Sequence, residues 1–107
     1  MRKGSLINLI IDRTLVSMLD RAVGKFTAQD VRGEAIDMGY RGTPSTSSIC
    51  GRLDRHTNAD LLRQVSERAG ADSRVWTFTE DSDKIKDLVL KELQRRRNLG
   101  KRTLEDK

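Results

Sequence analysis

One cysteine, one histidine and one proline stand among 107 residues, and each scarcity removes a class of protein. A lone Cys50 builds no disulfide framework, and with only His56 beside it no zinc site of several Cys and His ligands is available. A cytoplasmic or nucleoid-associated setting is the corresponding expectation. Phe26, Tyr40, Trp76 and Phe78 are the only aromatic residues, too few for the stacking platforms on which binders of single-stranded nucleic acid rely. Hydrophobic runs are short. The one from Leu6 to Ile11 is cut by Asp12 and Arg13, so it spans no membrane, and with no small-residue cleavage site after it, it does not make a signal peptide. Also missing are a phosphate-binding glycine loop, a His-rich metal spacing and a serine–histidine nucleophile motif. The expectation is therefore no enzyme, no metal, no cofactor and no small-molecule substrate. No internal repeat or low-complexity tract is visible.

What is present is charge and a modest apolar content, 35% against 36% of residues. The apolar residues are segregated, which predicts one folded domain at this length. The net charge is +5, suggesting an anionic partner, but it is unevenly spread. Residues 1–26 hold five basic and two acidic side chains, 27–59 four and four, 60–80 three and four, and 81–107 nine and six. Recognition by the neutral centre must depend on a few well-placed arginines, with a shallow salt dependence because few phosphates would be neutralised.

Helical spacing predicts a first helix over Ser5 to Val23. Ile7, Ile11, Leu15, Met18 and Ala22 form one stripe, and Leu9, Val16, Leu19 and Val23 a second beside it. Such a helix must touch two neighbours; an edge strand over Leu6 to Ile11 is the alternative. Gly24 is expected to end it. Thr27 then caps a short second helix, with Asp30 in the capping-box position and Val31, Ala35 and Met38 facing inward. Gly39 and Gly42 turn the chain. After Asn58 the period changes to two. Leu61 to Glu67 and Arg74 to Glu80 read as strands about a small, polar tip, with Trp76 and Phe78 pointing into the core as packing residues rather than a ligand platform. A last helix begins near Ser82 or Asp83, carries Ile85, Leu88, Val89 and Leu93 as its stripe, and frays beyond Leu99 in a basic tail, 94–107, outside the 1–93 domain.

The stretch from Thr43 to His56 is the most informative. Thr43 can cap and Pro44 has φ preset for a first helical turn. Ile49, Leu53 and Cys50 supply a narrow apolar anchor, while Ser45, Ser48, Arg52 and Arg55 recur at offsets of three, four and three on the other side. Hydroxyls and forked cations on a weakly anchored helix suit the DNA major groove; the bland alternative is a solvated surface helix. Cys50 is expected to be a buried structural thiol and His56 a cap for the negative end of this helix rather than a general base. Gly51, in mid-helix, needs a reason such as close approach of another backbone, and Asp54 is expected to pair with a neighbouring arginine.

Helix, helix, helix, hairpin, carried by Leu15 to Val23, Phe26 to Val31, Ser45 to Arg55, Leu61 to Val65 and Val75 to Thr79, resembles the winged helix-turn-helix domain over roughly Asp12 to Glu80. The resemblance implies a mainly α fold with a small β-hairpin (α+β), flanked by an N-terminal helical extension and a C-terminal helix. It further implies a double-stranded DNA-binding protein, a small transcriptional regulator whose third helix enters the major groove. Arg41, Thr43, Ser45, Thr46, Ser48, Arg52, Arg55, Arg68 and Arg74 become candidate DNA contacts. Among them Arg52 is the leading base reader, Ser45 and Thr46 are phosphate anchors, and Arg68 and Arg74 flank the wing tip. Excess apolar surface in residues 5–11 and 85–93 predicts a homodimer. The alternatives are a winged-helix protein-interaction module in a larger assembly and a non-specific nucleic-acid arm at Arg95 to Arg102.

Overall fold

The computed structural model describes residues 3–65 and 74–105. Seven elements follow in order: α1 (Lys3–Asp20), β1 (Lys25–Phe26), α2 (Ala28–Asp37), α3 (Thr46–Asn58), β2 (Leu62–Gln64), β3 (Trp76–Phe78) and α4 (Lys84–Glu105). The fold is α+β, as expected. The edge-strand alternative for Leu6 to Ile11 fails, because that stretch is helical throughout.

The broad apolar face of α1 has the consequence anticipated for it: α1 packs against α2, α3 and α4. Ile11, Leu15 and Met18 are buried on one side and Leu9 on the other. Ile11, Leu15, Met18, Phe26, Val31, Ile49, Leu53, Leu62, Trp76 and Ile85 form one continuous core, so every element contributes at least one of its apolar residues. Three apolar assignments fail. Met38, beyond the end of α2, is exposed, and so are Leu88 and Leu93 of the α4 stripe.

The sheet holds one strand more than the sequence pattern reveals. β3 lies in the centre, antiparallel to β1 on one side and β2 on the other. Phe26 and Gln64 are both in register with Trp76. A two-residue strand has no alternation to read, so β1 is visible only once β3 is beside it. Its Phe26 ring packs on Phe78 at a 4.9 Å centroid distance, and Thr77 Oγ1 donates to the Gly24 carbonyl at 2.9 Å. The tip expected between β2 and β3, with Arg68, lies outside the described residues.

Three helices end in the same way. The Val23 N–H donates to the Met18 carbonyl, Tyr40 to Ala35 and Leu61 to His56, each across five residues. The residues before the donors, Ala22, Gly39 and Asp60, have φ of 59°, 89° and 63°. This is the Schellman cap, with its left-handed position usually held by glycine. Gly39 fits it. Gly24, expected to end α1, is two residues too late, and Ala22 takes the strained conformation instead. Because Ala22 is exposed, Ala22→Gly is expected to stabilise the protein by on the order of 1 kcal/mol, read as a higher urea midpoint. An unchanged or lower midpoint would refute this reading of the cap.

The start of α4 is tied to the sheet through one hydroxyl. Ser82 Oγ donates to the Leu61 carbonyl at 2.6 Å and accepts from the Thr79 N–H at 2.7 Å. The helix then runs against α1, where Lys86 Nζ lies 2.9 Å from Asp20 Oδ1. Its backbone stays helical to Glu105, so the expected tail 94–107 continues the helix past Leu99 up to that residue. Among the described residues no helix is long and apolar enough to cross a membrane.

Candidate nucleic-acid interface

The α2–α3 unit is set by local hydrogen bonds. Thr27 caps α2 with the anticipated box: the Asp30 N–H donates to Thr27 Oγ1 at 3.2 Å, and the Thr27 N–H donates to Asp30 Oδ2 at 3.0 Å. α3 starts two residues later than its Pro44 suggests. Ser45 is the N-cap, with its Oγ accepting from the Ser48 N–H at 3.2 Å. Thr43 Oγ1 instead donates to the Tyr40 carbonyl at 3.3 Å, inside the turn. Pro44 thereby moves to the position before the cap. Pro44 and Ile49, the two places of a hydrophobic staple, are both buried.

At 100° per residue, Ile49, Leu53 and His56 share one side of α3, and all three are buried. His56 is therefore not an exposed terminal cap. Its Nε2 lies 2.7 Å from Oδ1 of Asp12, which is itself only 3% exposed in the middle of α1. Against an ionised carboxylate, that nitrogen carries the hydrogen. Arg52 completes the group, its Nε at 3.0 Å from Asp12 Oδ1 and its Nη2 at 2.6 Å from Oδ2. Burial by itself would raise the Asp12 carboxyl, but hydrogen bonds and charge from His56 and Arg52 bring it below the usual carboxylate range.

This network relocates the outward face. Arg52, expected as the leading base reader, has its guanidinium turned toward α1 and a side chain only 16% exposed. Ser45, Ser48, Arg52 and Arg55 thus form a flank of α3 that Arg52 closes against the core. The centre of the outer face is Ser47, Gly51 and Asn58, all exposed, with Ser48 and Arg55 on one side and Asp54 on the other. Arg55 has no ion-pair partner among the described residues, and exposed Arg41 has none either. Thr46 and Cys50 are half-buried, Cys50 packed against the core.

Asp54 does pair with an arginine, though not with a helical neighbour. Arg74, two residues before β3, donates from Nη1 to both Asp54 carboxylate oxygens, at 3.0 and 3.3 Å, and lies 4.9 Å over the Trp76 ring. Of the nine candidate contacts, Ser45, Thr46, Ser48 and Arg55 are brought together on α3, and Arg41 and Thr43 lie in the turn before it. Arg74 and Arg52 are occupied by carboxylates, and Arg68 is outside the described residues. Asp12 and His56 were not foreseen. The available signal was phase: His56 stands seven residues after Ile49 and three after Leu53, on the apolar stripe itself.

Among the described residues no three His, Cys, Asp or Glu side chains are grouped to hold a metal ion. No protein-family model and no curated protein matches the chain. Among solved structures it is similar to Bordetella bronchiseptica BpsR, whose DNA binding is regulated by 6-hydroxynicotinic acid. The TM-score is 0.53 at 14% identity, over 89% of this chain and 61% of that one. The chain therefore spans less than two thirds of BpsR, and at this identity the likeness is one of fold.

Proposed function

We propose that this protein binds double-stranded DNA as a small transcriptional regulator, laying α3 in the major groove of its target as a homodimer. The observation that carries the reading is the division of α3. One side is clamped to the core by Ile49, Leu53 and the bonds to Asp12, and the other presents small hydroxyls and the guanidinium of Arg55, which has no ion-pair partner among the described residues. A firmly seated helix with small donors outward fits a groove that reads donor and acceptor patterns. The α+β fold shared with BpsR, a protein whose DNA binding is regulated, supports it.

Arg55 takes the base-reading role first considered for Arg52, with Ser45, Thr46 and Arg41 toward phosphates. Leu6 of α1 and Leu90 and Leu93 of α4 are exposed and supply the apolar surface for a second copy, placing two α3 helices about 34 Å apart along DNA. A cytoplasmic or nucleoid location follows from this role, as does the absence of catalysis. The protein-interaction reading is favoured by one observation, that Arg52 and Arg74 are already paired with carboxylates.

The test is a titration of fluorescent random-sequence duplex DNA with wild type and Arg55→Ala at two salt concentrations. On random sequence a severalfold loss of affinity is expected from the missing cation, and roughly 10- to 100-fold, about 1–3 kcal/mol, on a selected site carrying the contacted base. Equal binding by both would move the contact to the basic end of α4, and no binding by either would favour the interaction module. Arg52→Ala does not serve here, because it disturbs the Asp12 network as well as the surface. A monomer by light scattering at tens of micromolar would overturn the dimer alone.

A further inference from the structure

Gly51 sits in the interior of α3 at a position where glycine is the poorest residue short of proline. Neither of the usual intramolecular reasons for a glycine applies. It is not among the glycines with positive φ, and a Cβ built on it meets nothing within 4 Å. The close approach of another backbone, expected from the sequence, does not occur within the chain. Gly51 is exposed at the centre of the outer face, so any body that comes close to it must come from outside.

A second observation marks the same place. Gly51 borders a concavity of about 530 Å³ enclosed by Gln29 of α2, Ser47 and Asp54 of α3, and Arg74 and Trp76 beside the sheet. Trp76 is fully buried, and its indole Nε1 has no hydrogen-bond partner among the described residues. A buried donor without an acceptor is rare enough to need an explanation. The Gln29 amide, the Ser47 hydroxyl and the Arg74 guanidinium thus line a hollow, with the Trp76 ring sealed beneath it, and Gly51 puts no side chain on its rim.

Resting on the DNA-binding reading above, we infer that this concavity is the seat of a DNA backbone strand and that Gly51 is the point of closest approach between α3 and the duplex. Phosphate and sugar oxygens are the acceptors that the Gln29 amide and the Ser47 hydroxyl on this hollow can meet. The Asp54 carboxylate, which would repel a phosphate, is already neutralised by Arg74. Gly33 of α2 supplies a control. It is equally open to an added Cβ but does not border this concavity.

The experiment uses the full chain with Gly51→Ala, Gly51→Leu, Gly33→Ala and Gly33→Leu, each melted and each titrated with fluorescein-labelled random-sequence duplex. Both alanine variants are expected to melt about 4–8 °C higher, since each replaces a helix-interior glycine in open space. Gly51→Leu is expected to bind DNA at least tenfold more weakly while remaining folded, and Gly33→Leu to bind as wild type does. Trp76, the only tryptophan, lies beneath the hollow and reports independently: its emission should change on saturation with duplex in wild type. Wild-type affinity in Gly51→Leu, or an emission unmoved by saturating DNA, would overturn the inference. If Arg55→Ala loses binding while Gly51→Leu keeps it, the seat is wrong and the DNA-binding reading stands. If wild type binds no duplex, both fall together.

Discussion

Asp12→Ala is expected to remove about 3–5 kcal/mol of stability, the cost of withdrawing one partner from a buried charged group. For a domain whose total stability is about 5–15 kcal/mol, that brings the protein close to unfolding at ambient temperature. The reason lies in what remains. His56 is 3% exposed and the Arg52 side chain 16% exposed, and both would be left facing an apolar gap in α1. A urea titration measures the loss, and a midpoint within experimental error of wild type would show that the network contributes nothing. The converse substitution separates charge pairing from packing. Replacing all three residues together by apolar ones of similar volume, Asp12→Leu with Arg52→Met and His56→Leu, is expected to recover most of the stability, because the desolvation of the ions disappears with them. The pH dependence has a definite sign. The folded Asp12 carboxyl lies below its unfolded value, so its contribution is present above the ordinary carboxylate range and is lost as pH falls through the folded value. Wild type should therefore lose stability toward acid more steeply than the apolar triple variant.

Trp76→Ala should cost about 3–5 kcal/mol, the usual range for truncating a buried indole to a methyl group. Trp76 is fully buried, stands on the central strand, and is in register with Phe26 on one side and Gln64 on the other. Its loss opens the place where the sheet meets α3, and Arg74 loses the ring over which it lies. Trp76→Phe should lose much less, since it keeps a ring in the site and removes a buried N–H that has no acceptor. Differential scanning calorimetry on the two variants checks the order. Equal losses would mean that the indole's size, rather than the presence of a ring, decides the packing.

The two substitutions act on opposite sides of α3, and together they explain how so small a core holds that helix. Ile49 and Leu53 bury one face, Asp12 grips the flank through Arg52, and Arg74 holds the other flank through Asp54. The helix is fixed in rotation as well as in place. The proposed reading of base edges requires this, since a rotation of α3 would exchange Arg55 for Asp54 on its exposed face.

Much of this was legible from residue order because the interactions involved are local. The box of Thr27 and Asp30 spans three residues, and the stripe of Ile49 and Leu53 spans four, distances over which the geometry of a helix is known in advance. The double stripe of α1 required two neighbours and found three. Competing local options were harder to separate. Thr43 and Ser45 both carry a hydroxyl beside Pro44, and the choice fell to Ser45 because Thr43 is engaged by the Tyr40 carbonyl. Ala22 entered the left-handed region, where no propensity would place it, because Val23 and Phe26 must leave α1 toward the core and the sheet.

Composition, helical phase and capping chemistry by themselves determined an α+β domain, the order of its four helices and of β2 and β3, the buried side of α3 and the exposure of its small hydroxyls, whereas β1 became visible only beside β3. The tertiary structure alone decided which arginine faces out. Helical phase places both Arg52 and Arg55 on the same flank of the buried stripe, Arg55 farther from it, and what turns the Arg52 guanidinium inward is a carboxylate 40 positions away in sequence. Sequence periodicity describes where a side chain leaves its own helix, whereas the orientation of a long, forked cation is set by the charge it can reach, and that charge is brought within 3 Å of Arg52 only by the packing of α1 on α3.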